Sequence, residues 1–551
     1  MKEGYVLSID QGTSSSRCLL FNTSGKVVSS SQQEQTQHYP RSGWVQQDAL
    51  EIWDQVVGCV NAALKDAQAS ASVIAAIGIT NQRESTLVWN KHTGVPYHPL
   101  IVWNDTRTSD ICEMLQKEGG ADRFREQTGL PVATYFSATK ILWLFEHVKG
   151  LREDAMNGTA VFGTMDTWLM WKLTQGKTFV TDVTNASRTM LMNLKTLAWD
   201  QAILDSLGVP NTMLPEIRSS SEVYAAVSTP DLPGLEGVKI AGVLGDQQAA
   251  LFGQNCFEPG AAKCTYGTGA FILMNSGSEM VPSTHGLLTT VGYKLGDAPP
   301  VYALEGSIAY AGSVVQWARD NLGLIEEARG IETLAKTVDD NGGVYFVPAF
   351  AGLFAPYWRM DARGVICGLT AYNTKGHLAR AVLEATVFQV TEVLQAMRKD
   401  SQVELKMLRV DGGMTGNGLL MQLQADALDK QVLRPRLSEE TTALGAAFAA
   451  GLAVGVWSDL EQLRAIWAVG DEYWPAMKEA KRSELLRRWR QTVKNSLGWE
   501  GHADAAEEGP GLPSGDFSSS SPLAARPWQW WHVLGAACAG AVVGAKLLHR
   551  R

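Results

Sequence analysis

Between Asp10 and Ser16 the chain places a carboxylate, a glycine and four hydroxyl side chains in one short run, Asp10-Gln11-Gly12-Thr13-Ser14-Ser15-Ser16. In a tight turn, exposed N–H groups and hydroxyls cradle a polyphosphate, and a carboxylate at the strand end holds magnesium, usually through water. The plainer alternative is an Asp-Gly hairpin turn with solvated serines. A similar arrangement returns at Thr265-Tyr266-Gly267-Thr268-Gly269, again between two strand-like runs. The pair reads as a short internal repeat, two turns able to grip the same phosphates from opposite sides. Asp246 follows an apolar run and opens Gly245-Asp246-Gln247-Gln248. A carboxylate there serves as general base or magnesium-water partner, or as a plain helix N-cap. Arg83-Glu84 offers one donor and one acceptor for vicinal hydroxyls, against the commoner alternative of a surface ion pair. Gly176-Lys177-Thr178 mimics the end of a P-loop, but Trp171 occupies the position of the required earlier glycine.

The elements that must position these residues alternate between strands and helices. Strands are expected over 5–9 and 17–21, followed by a hairpin turn at Asn22-Thr23-Ser24-Gly25-Lys26 into a third strand at 27–28. Asp48 is expected to cap a helix over 49–67, with Ile52, Val56, Val60 and Ala63 on its buried face. A strand over 73–80 delivers Arg83-Glu84, and a strand-like run over 101–105 carries Trp103. A helix beginning near 137 follows Tyr135, and a strand over 238–245 delivers Asp246. Further on come a helix containing Gln316, a long helix over 377–397, and a strand ending at Asp411-Gly412-Gly413 before a helix over 419–428. Ala- and Gly-rich residues 442–451 form a helix fit for close packing. This is an α/β pattern with mixed sheets, in two related halves that meet near 253–260.

The 551-residue length exceeds what one core usually supports, and 45% hydrophobic with 19% charged residues describes a folded body. A formal net charge of −9 leaves no basic stripe and argues against nucleic-acid binding. Seven scattered cysteines without a C-x-x-C pair read as reduced thiols in a cytosol-facing protein, and nine histidines form no zinc pattern. No signal or transit peptide is expected before the first strand.

Four glycine-punctuated strand ends thus stand in order, at Asp10-Gln11-Gly12-Thr13, Gly245-Asp246-Gln247-Gln248, Tyr266-Gly267-Thr268-Gly269 and Asp411-Gly412-Gly413. Together they resemble the phosphate-1, phosphate-2 and adenosine motifs of the actin, hexokinase and heat-shock-chaperone ATPase superfamily. Within it the chain is similar to the carbohydrate kinases, and most closely to the glycerol kinases, from residue 1 to about 500. Asn81-Gln82-Arg83-Glu84, Asp246 to Gly253 and Thr265 to Gly269 carry the likeness.

The resemblance implies two ribonuclease-H-like domains, 1–253 for glycerol and phosphates and 254–499 for the nucleotide. It implies ATP-dependent phosphorylation of glycerol to sn-glycerol 3-phosphate. Glycerol would meet Arg83, Glu84, Tyr135, Asp246 and Gln247, between Trp103 and Phe271 as apolar walls. The ATP phosphates would meet Thr13, Ser14, Ser15, Arg17 and Thr268, and the nucleoside would lie along Gly312, Gln316, Gly413 and Asn417. Asp246 would be the base, with Mg²⁺ near Asp10 and Asp246. Ser14 stands where the family commonly has threonine, which keeps the hydroxyl. A dimer or tetramer is expected. Some bacterial relatives bind fructose 1,6-bisphosphate through a Gly-Gly-x-Arg type loop, and Leu232 to Lys239 lacks that arginine, so weak or no inhibition by it is expected.

Past Trp499 the composition changes. Residues 500–526 are rich in Gly, Ser, Ala, Pro and acids, as in a disordered linker. Residues 527–551 join a tryptophan cluster, a short uncharged run and a basic end, the anatomy of a C-terminal membrane anchor. Such anchors resemble those of the mitochondrial outer membrane; a packed tail on a soluble cytoplasmic enzyme is the alternative. Two rival functions stay open: a sister kinase for xylulose or gluconate, and a non-catalytic nucleotide-binding scaffold at a membrane.

Overall fold

The computed structural model describes residues 4–499, so the expected linker and anchor at 500–551 lie outside the described residues. Alternating apolar residues and turn chemistry build two mixed sheets. The first comprises β1 (Tyr5–Gln11), β2 (Ser15–Phe21), β3 (Val27–Glu34), β4 (Ile74–Asn81), β5 (Ser221–Ala226) and β6 (Lys239–Gly245). Their spatial order is β5-β6-β4-β1-β2-β3. The second comprises β7 (Ala261–Tyr266), β8 (Ala270–Gly277), β9 (Leu288–Tyr293), β10 (Val301–Ile308), β11 (Met407–Asp411), β12 (Val432–Pro435) and β13 (Val469–Tyr473), in the order β9-β10-β8-β7-β11-β12-β13.

The internal repeat anticipated from two short turns extends over both sheets. From β3 across to β5, successive neighbours pair antiparallel, antiparallel, parallel, parallel and antiparallel. From β10 across to β13 the same succession recurs, with β9 added outside β10. Each half therefore opens with a hairpin and sets the next strand parallel to the hairpin's first, so that several loops leave at one end of the sheet. That end is where ligands bind in open α/β sheets. β3 is longer than the expected 27–28, because it pairs along the full length of β2.

Helices cover the sheets. α1 (Ala49–Asp66) starts where Asp48 accepts hydrogen bonds from the backbone N–H of Leu50 and Glu51. Ile52, Val56, Val60 and Ala63 are buried as expected, joined by Trp53, Cys59 and Leu64, against Leu7, Ile9, Cys18 and Leu20 of the sheet. Each buried Ile, Leu or Val there contributes about 1.5–3 kcal/mol. α2 (Ser137–His147) follows Tyr135, α3 (Asp246–Gly253) follows β6, and α4 (Gly312–Asp320) follows β10. α5 (Lys375–Ser401) runs beneath the second sheet in its core, α6 (Gly418–Leu428) packs against it, and α7 (Thr441–Ala453) comes next. No helix among the described residues is long and apolar enough to cross a membrane.

α7 departs from a simple division of the chain at 253. Although it follows β12 of the second sheet, Ala443, Leu444, Ala447, Phe448 and Ala450 share a core with Val6, Leu19, Ala76, Ala241 and Leu244 of the first. The approach demands glycine on both sides. A Cβ on Gly78 would lie 2.2 Å from the Ala446 carbonyl oxygen, and one on Gly445 1.9 Å from that of Ala249. The expected strand-like run over 101–105 is likewise corrected. Only Leu100–Ile101 is strand, and Trp103 stands in the turn after it, where the backbone leaves its pairing with Gln46–Gln47.

Candidate active site

The site is assembled from the ends of β1, β4, β6 and β7 and from the interior of β10, which carries Glu305. Gln82 ties the first two together, because its backbone N–H donates to the Gln11 carbonyl at 2.9 Å. Arg83 and Glu84 follow directly and are not a surface pair: each side chain is 2% exposed. Arg83 Nε lies 3.2 Å from Asp246 Oδ1 and 3.7 Å from Glu84 Oε1. Its two terminal nitrogens grip Glu305, Nη1 to Oε2 at 2.6 Å and Nη2 to Oε1 at 2.8 Å. Nη1 also donates to Gln248 Oε1 at 3.2 Å, and Nη2 reaches the Tyr135 hydroxyl at 3.5 Å.

Asp246 is the first residue of α3, and Gly245, not Asp246, holds the N-cap position. The carboxylate accepts the Gln247 N–H at 2.7 Å and leaves about 29% of its side chain exposed. Burial pushes its carboxyl up to about 6; Arg83 and Lys263 oppose the rise and Glu84 adds to it. A carboxylate half-titrated near 6 is suited to accept a proton at neutral pH. Glu305 goes the other way. Burial alone would raise it, but Arg188 and Arg83 outweigh burial and hold it down to about 2.

Apolar groups stand beside this charged cluster. The Trp103 ring meets the Tyr135 ring edge-on at 5.4 Å and the Phe271 ring edge-on at 6.4 Å. Trp103 also reaches the first hairpin, because its indole Nε1 donates to Thr13 Oγ1 at 2.9 Å. Lys140, buried in α2, donates to the carbonyls of Thr134 and Tyr135 at 2.6 and 2.9 Å and thereby fixes the loop that presents Tyr135.

The two turns have matching construction. In the first, Gly12 N–H donates to the Ser15 carbonyl at 3.0 Å, with Thr13, Ser14 and Ser15 half-buried. In the second, Gly267 N–H donates to the Gly269 carbonyl at 2.9 Å. The Thr268 carbonyl accepts from the backbone of Ala311 and Ser313, and Gly312 N–H donates to Gly267, so the start of α4 is tied to the turn. A Cβ on Gly312 would lie 2.6 Å from the Gly267 carbonyl oxygen and 3.5 Å from Met414 Sδ, which brings the turn after Gly413 to the same place. Gln316 lies one helical turn on, half-buried. Asn417 has a structural duty, since its Oδ1 caps α6 by accepting Leu420 N–H at 2.9 Å.

Arg17 and Asp10, expected to serve phosphate and metal separately, form an ion pair. Arg17 Nε lies 3.1 Å from Asp10 Oδ2, and Nη2 contacts the same oxygen. They are cross-strand partners in the β1–β2 register, which places both on the same side of the hairpin mouth. Among the described residues no group of three or more His, Cys, Asp or Glu side chains is placed to cage a metal. With Oδ2 taken by Arg17, Asp10 has its other oxygen to offer, which fits a magnesium ion that arrives with phosphate ligands and keeps most of its water.

Four participants escaped the sequence reading. Arg188 donates to Glu84 Oε1 at 2.8 Å and to Glu305 Oε1 at 3.3 Å. Glu305, Gln248 and buried Lys263 complete the set; Lys263 Nζ bonds Gln247 Oε1 and Thr265 Oγ1. The available signal was an isolated charge inside an apolar strand: Lys263 between Ala262 and Cys264, and Glu305 between Leu304 and Gly306. An unpaired charge in such a setting is costly, so it must have a buried partner.

Residues 5–253 match the N-terminal domain of the FGGY family of carbohydrate kinases, and residues 262–454 match its C-terminal domain. The glycerol kinase of Brucella anthropi is 57% identical over 498 residues, 90% of this chain and 99% of that protein. Glycerol kinase 2 of Streptomyces coelicolor is 58% identical over 499 residues, 90% of this chain and 97% of that protein. The crystal structure of Plasmodium falciparum glycerol kinase with ADP superposes with a TM-score of 0.86 at 37% identity, covering 90% of this chain and 98% of that one. A gluconate kinase from Lactobacillus acidophilus, at 24% identity and a TM-score of 0.81, shares the fold. The chain belongs to the FGGY family of carbohydrate kinases and, within it, to the glycerol kinases.

Proposed function

We propose that the chain phosphorylates glycerol at a terminal hydroxyl with ATP, yielding sn-glycerol 3-phosphate, and that Asp246 is its general base. The observation that carries this reading is the convergence of Arg83, Glu84, Tyr135 and Asp246, with the Asp246 carboxyl held near 6, beside Trp103 and Phe271. Arg83 and Glu84 hold two hydroxyls as donor and acceptor, Tyr135 and Gln247 add polar contacts, and the two rings cover the carbon chain. Asp246 accepts the proton of the hydroxyl that attacks the γ-phosphoryl group. Thr13, Ser14, Ser15, Arg17 and Thr268 orient the phosphates, and Gly312, Gln316, Gly413 and the amide nitrogen of Asn417 accommodate the nucleoside. Asp10 and Asp246 would hold Mg²⁺, which would supply charge neutralisation for the phosphates. Phosphoryl transfer draws most of its catalysis from positioning and charge stabilisation, which matches a site built from hydroxyls, N–H groups and fixed ion pairs.

We read each sheet with its helices as a ribonuclease-H-like domain, the first centred on 1–253 and the second on 254–499, in a dimer or tetramer. Residues 527–551 are proposed to anchor the enzyme to a membrane, by resemblance the mitochondrial outer membrane. Deleting them should then move the enzyme from the membrane to the soluble fraction; unchanged fractionation removes that proposal. The catalytic reading is tested by a coupled assay of ADP release with ATP, Mg²⁺ and glycerol, alongside xylulose and gluconate. Turnover with glycerol well above the two sugars is expected; preference for either sugar, or no turnover with any of them, overturns it.

A further inference from the structure

Glu84 and Arg83 could not hold a substrate unless something held them first. Arg83 carries a long side chain with about 2 kcal/mol of rotamer entropy. Its fork is closed on both oxygens of Glu305, which is presented by β10 of the second sheet while Arg83 follows β4 of the first. Arg188 then binds Glu84 Oε1 and shares Glu305 Oε1, and all four side chains are at most 2% exposed. Two arginines balance the two glutamates of this buried quartet, while Asp246, which also faces Arg83 Nε, has Lys263 as a further cation. Loss of either outer member leaves an uncompensated charge beside the substrate grip, which is where buried pairs are costly to break.

The position of Arg188 is itself built. Asp182 caps the single helical turn Val183–Ala186 by accepting the N–H groups of Thr184 and Asn185. Asn185 exchanges amide hydrogen bonds with Asn81 at the end of β4, at 2.9 and 3.2 Å. Thr184 Oγ1 accepts Gly245 N–H at the end of β6, at 2.9 Å. Arg188 is thus anchored to the two strand ends that deliver Arg83 and Asp246. By occupying Glu84 Oε1 it leaves Oε2 as the carboxylate's acceptor for a substrate hydroxyl.

We propose that Glu305 and Arg188 are positioning residues for the polyol, a couple that fixes the direction of Arg83 and Glu84 and so sets the affinity for glycerol. The inference rests on the glycerol-kinase reading of the site. The test is steady-state kinetics of the purified full chain carrying Glu305→Gln, Glu305→Asp or Arg188→Lys, with melting temperature measured in parallel. Because hydrogen bonds to charged groups are involved, KM for glycerol should rise roughly 10- to 100-fold in Glu305→Gln. KM for ATP should stay near its wild-type value, and Glu305→Asp should recover part of the loss. Arg188→Lys, which keeps the charge but not the fork, should show the same split and serves if Glu305→Gln does not fold. Unchanged KM for glycerol in both Glu305→Gln and Arg188→Lys overturns the proposal, as does an equal loss for glycerol and ATP accompanied by a lower melting temperature. Wild-type enzyme that fails to phosphorylate glycerol overturns the functional reading itself, a result distinct from active wild type with no split in the variants.

Discussion

Replacing Asp246 by asparagine removes the proposed base while keeping nearly the same shape. Asparagine can still accept the Gln247 N–H and face Arg83 Nε, which lie 2.7 and 3.2 Å from Asp246 Oδ1. Ground-state contacts should therefore change little and the loss should fall on kcat. General-base catalysis is worth roughly 10²–10⁴-fold, about 3–5 kcal/mol of barrier. Stability moves in the opposite direction. Burial raises the native Asp246 carboxyl from 3.8 to about 6, so between those values the native state holds the proton longer than the unfolded chain. Native stability thus falls as pH rises through this window, by an amount on the order of 3 kcal/mol once both states are ionised. Asparagine cannot ionise, so Asp246→Asn should melt no lower than wild type at pH 7.5. In wild type, kcat/KM for glycerol should fall on the acid side with an apparent pKa near 6, and at pH 5 it should stand roughly tenfold below its plateau. A coupled assay of ADP release from pH 5 to 8, with melting curves on the same samples, measures all of this. Turnover of Asp246→Asn within a few-fold of wild type, or a flat wild-type profile across pH 5–7, would refute Asp246 as the base.

Three further perturbations probe how the site is supported. Trp103→Phe keeps the ring but removes the indole donor to Thr13, and should raise KM for both glycerol and ATP by roughly 2- to 10-fold; an effect on glycerol alone would mean that this bond does not link the two subsites. Lys140→Met leaves the Thr134 and Tyr135 carbonyls without their buried donor, at about 1–3 kcal/mol for each unsatisfied group. KM for glycerol should rise with little change for ATP, and melting should move lower; an unchanged KM for glycerol would show that the Tyr135 loop is held by other contacts. Gly445→Ala forces a methyl group to within 1.9 Å of the Ala249 carbonyl unless α3 and α7 separate. Overpacking of this kind costs about 1–3 kcal/mol, and because α3 begins at Asp246, kcat should fall along with the melting temperature; wild-type values of both would refute the rigid coupling of the two helices.

The local features of the fold were legible because their causes are local. Asp48 and the spacing of Ile52, Val56, Val60 and Ala63 set the start and the buried face of α1 without reference to the rest of the chain. Each Gly-Thr turn lies between strands that pair with one another, so each hairpin can be read from its own residues. The seat of α7 could not be read this way. Its small residues announce close packing, but nothing within 441–453 says that the surface it meets belongs to the first sheet rather than the second. That choice depends on Gly78 and Gly242, about 370 and 200 residues earlier, which leave room for its backbone.

The same distinction divides the candidate site. Arg83, Glu84, Asp246 and Thr268 stand at strand ends beside turn residues, where a ligand-facing group announces itself through position and glycine. Arg188 and Glu305 face other protein groups, and their meaning comes from partners 104 and 222 residues away. Each alone is a charge the interior should reject; as a quartet with Arg83 and Glu84 they balance. Because Glu305 comes from the second sheet and the other three from the first half, the grip proposed for the polyol is complete only when the two halves are in contact. The halves that carry the two phosphate turns are therefore joined through the residues proposed to hold glycerol. Binding of the polyol and alignment of the phosphates need not be separate events: a substrate that reinforces Arg83 and Glu84 also reinforces the contact that sets one turn against the other.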